Sequence, residues 1–412
     1  MNRLVLIGNG FDLAHGLKTS YADFIDWYWD KRVKGFASEH SDMSTDILCS
    51  FKNLNKESWS AFYMYRIPHY FQKVTGAEVV QELFKNRQLY KITPSIFFTN
   101  ILHCLYTNNW VDIENEYYSL LTEYALRDEN GEDKIEELNE QFCYLRANLI
   151  DYLKEMQITE DLIKSEIRNK IYSPFNASDI SIKGQQSLRE HLESGLKLDD
   201  NVWDIKLRQY GSNCYSKGYV SDYKKNYSET RAVEWSTVPI ELLLPNQIML
   251  LSFNYTCTAQ LYCKDAPIFN VNQIHGKVEQ PESVIFGYGD ELDDDYKEIT
   301  ELNDNKLLTN IKSIKYLEAD NYRKMLSFLE SEPFQVLIMG HSCGNSDRTL
   351  LNTIFEHKNC VSIKPYFYLK EKGKDNYLDI VQNIHRNFTD MKLMRDRVVN
   401  KMYCETLTGV PR

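Results

Sequence analysis

The chain has 412 residues, 43% of them hydrophobic and 26% charged, as in an ordinary soluble protein of one large or two smaller domains. A formal net charge of −11 argues against a surface built to hold DNA or RNA, but leaves room for a small basic nucleotide pocket. The nine cysteines are scattered without a Cys-x-x-Cys pair, the pattern of reduced thiols in a cytoplasmic protein rather than of a zinc site. Too few residues precede Gly8 for a signal-peptide core, and no apolar run approaches membrane-spanning length.

In chain order, a β-favouring run over residues 3–7 leads into Gly8-Asn9-Gly10-Phe11-Asp12, with an ordinary helix expected from Leu13. Glycines at such a turn let a phosphate approach the backbone, yet the dinucleotide fingerprint needs a third glycine where Leu13 stands. Two readings stay open: a nucleotide loop, or a tight turn with Asp12 as a cap. Ser20 and Asp23 have capping-box spacing before a helix carrying Phe24, Trp27 and Tyr28. Between about 45 and 240 no strand is predicted. Trp110, Ile113, Tyr117 and Leu121 mark one face of an amphipathic helix, with Glu114 inside the apolar stripe; an acid there needs a partner. A second helix is predicted over 138–156, and loops with short helices over 173–235.

Short apolar runs return at 247–254, 267–276, 283–289, 334–340 and 361–370. Near-continuous apolar runs suit strands buried on both faces of a parallel sheet. The expected fold is therefore α/β and Rossmann-like, with a mostly parallel sheet. It is drawn from residues 1–30 and 245–412, and residues 31–244 form a mainly helical insertion. In such sheets ligands bind at the C-terminal strand ends, which makes the loop openers the candidates.

Asn254 opens one loop, either to orient a ribose hydroxyl or water, or as N-cap of a helix over 256–262. His275 opens another, as a general base or as a structural histidine. Gly340-His341-Ser342-Cys343-Gly344 matches the Gly-x-Ser-x-Gly nucleophile elbow. Against a serine hydrolase, the next helix starts only near Asp347. Downstream, the chain offers only His357 and His385 as bases and a single further strand. The alternative is a strand-to-helix loop capped by Ser346 or Asp347.

Taken together, "LVLIGNGFDLAHGLKTSYADF", "WVDIE", "LSFNYT", "IHGKV", "FGYGDE" and "MGHSCGNSDRTLL" resemble the AbiH family of bacterial abortive-infection proteins. That family is in turn distantly similar to sirtuin-like NAD-consuming domains of other antiphage systems. The resemblance implies nucleotide-binding roles for Gly8, Asn9, Gly10, Asp12, Gly340, His341, Ser342 and Asp347, with Asn254 and His275 at the reacting ribose. The chain departs from the sirtuin-like pattern at Asn9, Phe11 and Asp12, and at Thr256, where an aspartate is usual. The function implied is an antiphage effector that binds NAD or a related nucleotide and hydrolyses its N-glycosidic bond. It would need no prosthetic group and no metal, and would respond to a phage-derived trigger; oligomerisation is compatible with this. The alternatives are a non-catalytic nucleotide-sensing or interaction module, and a serine hydrolase using Ser342.

Overall fold

The computed structural model describes residues 1–38, 43–54, 90–108, 111–210, 217–370 and 373–409. Trp110 lies outside the described residues. The strands described are β1 (Asn2–Ile7), β2 (Met43–Thr45), β3 (Cys49–Asn53), β4 (Tyr90–Pro94), β5 (Ile248–Ser252), β6 (Phe269–Gln273), β7 (Phe334–Met339) and β8 (Cys360–Tyr366). The chain divides into two compact units, one of residues 1–17, 157–285 and 316–412, the other of 18–156 and 286–315.

The first unit is built on a five-stranded sheet of order β6-β5-β1-β7-β8, parallel throughout. Every residue of β1 is buried, and its side chains alternate between two cores, as the two-residue period of a strand requires. Leu4 and Leu6 pack with the helices 321–331, 348–355 and 377–386, whereas Val5 and Ile7 pack with Phe11, Ile167, Ile171 and Tyr262. Burying side chains of this size stabilises by roughly 1.5–3 kcal/mol each, which is why the apolar runs were readable as strands. The chain moves outward from β1 through β5 to β6, then crosses back to β7 and on to β8. The order therefore reverses between β1 and β7.

The helices Gln185–Leu196, Asp200–Tyr210 and Lys217–Thr230 occupy much of the polar 173–235 region, where short helices were expected. Leu188, Leu192, Leu196, Trp203 and Leu207 supply a sparse apolar stripe that packs with Met1 and Val361 of the sheet unit. The run 283–289 is not a strand. Pro281–Ser283 forms a 3-10 turn, and Val284 to Phe286 are buried as irregular chain. Apolar composition marked burial there, not pairing.

In the second unit α2 (Tyr21–Ser38) begins with the capping box foreseen: Asp23 N–H donates to Ser20 Oγ and Ser20 N–H to Asp23 Oδ2. The short α1 (Asn9–Ala14) precedes it in the first unit. A small antiparallel sheet, β2-β3-β4, also forms here, where the sequence predicted no strand. These strands are three to five residues long, too short for alternation to show. After α3 (Ile96–Asn108), α4 (Ile113–Leu126) is capped by Asp112, and α5 (Glu132–Lys154) packs against it through Tyr117 stacked on Phe142 at 4.1 Å. Glu114 has its partners: Lys312 Nζ donates to Oε2 at 2.9 Å and the Gly287 amide to Oε1 at 3.0 Å.

Candidate functional site

The loop openers lie where the parallel sheet puts them, at the C-terminal ends of four neighbouring strands. Gly8 follows β1, Asn254 follows β5, His275 follows β6, and Gly340 begins the loop after β7. In open α/β sheets the crevice at the reversal of strand order, here between β1 and β7, is the usual ligand seat.

That crevice is filled by backbone. Gly10 N–H donates to Gly340 O at 2.7 Å and Gly8 N–H to Met339 O at 3.3 Å. A Cβ on Gly8 would stand 2.5 Å from His341 Cα, and one on Gly10 2.6 Å from Gly340 O. Gly340, at φ +76°, would place a Cβ 2.0 Å from Phe11 N. The three glycines are there because two turns cross in contact, and two of the amides expected to cradle a phosphate are already donated. Helix α1 starts at Asn9, not at Leu13, with Gly8 as N-cap and no side-chain cap, so Asp12 is not a cap either. Asn9 is exposed at the tip of the turn.

Asp12 is buried beside the β5 loop. Thr256 Oγ1 donates to its Oδ2 at 2.5 Å, and Thr258 Oγ1 lies 3.4 Å from Thr256 Oγ1. Burial pushes the Asp12 carboxyl up to about 6, against the opposing pull of Thr256, Thr258 and Asn254. Asn254 does not cap a helix; the following 3-10 turn, Thr258–Tyr262, has Cys257 at its N-cap position. Its side-chain amide donates instead to Gly8 O at 3.1 Å, tying the β5 loop to the β1 turn.

His275, His341 and Asp347 come together. Asp347 Oδ1 lies 3.3 Å from His275 Nε2, and its Oδ2 lies 3.6 Å from His341 Nε2. His341 Nδ1 accepts the Cys343 N–H at 2.9 Å, so the ring proton sits on Nε2, facing the carboxylate. That nitrogen therefore offers no lone pair to a metal, and no group of three such side chains is placed to hold one among the described residues. Phe253 packs edge-on against both imidazoles, at 5.3 and 4.1 Å. His275 Nε2 also shares a hydrogen bond with Tyr316 OH at 3.0 Å. Asp347 is the N-cap residue of the helix Arg348–Phe355 by position, yet its side chain makes no capping bond and faces the histidines. A carboxylate between two imidazoles orients both rings.

Ser342 is exposed, and among the described residues no histidine is hydrogen-bonded to its hydroxyl. His341 is engaged with Cys343 and Asp347, His357 with Glu330 and Asn359, and His385 is exposed. The Gly-x-Ser-x-Gly match does not form a nucleophile elbow: helix 348–355 starts only after a 3-10 turn, Asn345–Asp347.

Tyr316 and the paired use of Asp347 were not legible in the sequence. Tyr316 sits in a 3-10 turn where the chain returns to the sheet unit, and no motif or periodicity marks it.

Fold and site together define a Rossmann-like α/β protein with a large helical insertion and polar side chains gathered at parallel strand ends. The chain belongs to the AbiH family: the family model described as bacteriophage abortive infection AbiH matches residues 4–368. That membership implies a role in bacteriophage abortive infection. No curated protein and no solved structure matches the chain. No helix among the described residues is long and apolar enough to cross a membrane.

Proposed function

We propose that this protein acts inside the cell as an abortive-infection effector that hydrolyses NAD or a related nucleotide at the N-glycosidic bond. The observation that carries the reading is the gathering of His275, His341 and Asp347 at the end of the sheet where Asn254 also lies. In the reaction, water attacks the anomeric carbon of the ribose while the bond to nicotinamide breaks. Nicotinamide leaves neutral, the positive charge passing through an oxocarbenium-like ribose. The proton lost by the water goes to His275, whose imidazolium Asp347 stabilises. Asn254, fixed by Gly8 O, orients the water or a ribose hydroxyl. Incubating the purified protein with NAD and following nicotinamide release tests this. Release by wild type and not by Asn254→Ala/His275→Ala is expected. Equal silence of both, also with phage present, removes the enzymatic reading.

A second reading is a nucleotide sensor without turnover, favoured by the engagement of the rings: both imidazoles already face the Asp347 carboxylate, and His275 Nε2 also meets Tyr316 OH. Nucleotide binding by calorimetry without nicotinamide release selects it.

A further inference from the structure

Glu114 is an acid on the apolar face of a helix, where burial disfavours its charge unless it is fully paired. Its two oxygens grip two different chain segments of the second unit. Oε1 takes the Gly287 amide, just past the point where the chain leaves the sheet unit at Ile285. Oε2 takes Lys312, just before the chain returns at Tyr316. Lys312 and Glu114 are both buried, so this pairing is not screened by solvent.

Within the sheet unit, the same two crossings are fastened to His275. Ile285 N–H donates to His275 O at 2.9 Å, and Tyr316 OH meets His275 Nε2 at 3.0 Å. The Tyr316 ring lies within 10° of parallel to the imidazole and stacks on Tyr322 at 5.3 Å. Both crossings are short. The outgoing one is Ile285-Phe286-Gly287. The returning one is a helical turn, Lys312–Lys315, that runs without a break into the 3-10 turn Tyr316–Glu318. A short segment held by hydrogen bonds at both ends has little slack, so its two ends are candidates for coupling.

We propose that Glu114 and Tyr316 are positioning residues for His275: the Glu114 carboxylate fixes where the two crossings run, and the crossings fix the imidazole. The bonds at each end lie within one unit, and the link between them is the chain itself. A ligand or trigger that moves segment 286–315 would then retune His275. The importance given to His275 rests on the nucleotide reading, but the coupling is measured without turnover.

The test uses the full chain with ¹⁵N-labelled histidine at one pH, the His275 ring signals being assigned by their loss in His275→Gln. Tyr316→Phe keeps the ring and deletes the hydroxyl; it should displace the His275 Nε2 signal and leave His191 in place. Glu114→Gln/Lys312→Met removes the buried charges and keeps a carbonyl for Gly287; it should displace the same signal, although neither substitution is in the sheet unit. Two glycines inserted between Lys315 and Tyr316 slacken the returning crossing and should do likewise, deciding the matter if the double variant does not fold. An unmoved His275 signal in Tyr316→Phe overturns the proposal. Displacement there but in neither other variant overturns the role of Glu114. Nicotinamide release, measured separately, reports on the hydrolase reading alone.

Discussion

Thr256 donates its hydroxyl to Asp12 Oδ2, joining the turn after β1 to the loop after β5, while Asp12 Oδ1 is buried without a hydrogen-bond partner. A half-satisfied buried carboxylate opposes folding, and its place among strand-end loops makes it a functional candidate. Asp347 is a different kind of acid, with a histidine at each oxygen. The two aspartates that looked equivalent in the sequence therefore have separate parts.

Asp12 gives a pH prediction. Its folded-state pKa, about 6, lies above the ordinary 3.8, so the folded state binds its proton more tightly. The stabilisation is fully present below 3.8 and is lost as pH rises through about 6. By pH 7.5 the loss is roughly 3 kcal/mol at 1.36 kcal/mol per pKa unit. Asp12→Asn cannot ionise, so its stability advantage over wild type, by urea unfolding, should widen by about that amount between pH 4 and 7.5. A difference independent of pH would contradict the assignment.

Gly340 and Gly373 both have positive φ, but only Gly340 has neighbours where a Cβ would go. Gly373→Ala should cost about 1–2 kcal/mol from conformation alone. Gly340→Ala adds a backbone clash with Phe11 and should cost more than about 3 kcal/mol. Thermal melts giving equal losses would mean that the two turns do not cross in contact.

The Glu114–Lys312 pair should behave as a buried pair. Lys312→Met alone leaves a buried carboxylate unpaired and should cost about 3–5 kcal/mol. Adding Glu114→Gln should bring stability back to within about 1–2 kcal/mol of wild type, because neither charge remains. Additive losses in a double-mutant cycle would show the pair to be solvated.

Ser342 should not react with a fluorophosphonate probe, since it lacks a base. Labelling that disappears in Ser342→Ala would reinstate the serine hydrolase.

Much of this was readable in the sequence where burial is uniform. The core strands β1, β5, β6, β7 and β8 all begin or end within a few residues of apolar runs. Glu114 announced a partner without naming it, since Lys312 lies 198 positions away. The glycines of residues 8–10 were visible but their reason was not. A glycine that admits a phosphate and one that admits a second turn look the same until Gly340 is placed against Phe11. His341 was legible as part of a serine motif and, through the family resemblance, as a nucleotide-binding residue, but its bond to the Cys343 amide and its approach to Asp347 depend on how the loop turns.

The most direct test of the central claim is cellular NAD after phage infection, in cells expressing wild type or His275→Ala at equal levels. The hydrolase account predicts that NAD falls with wild type alone, together with protection. Protection by wild type with NAD unchanged, or an equal fall with His275→Ala, would contradict it.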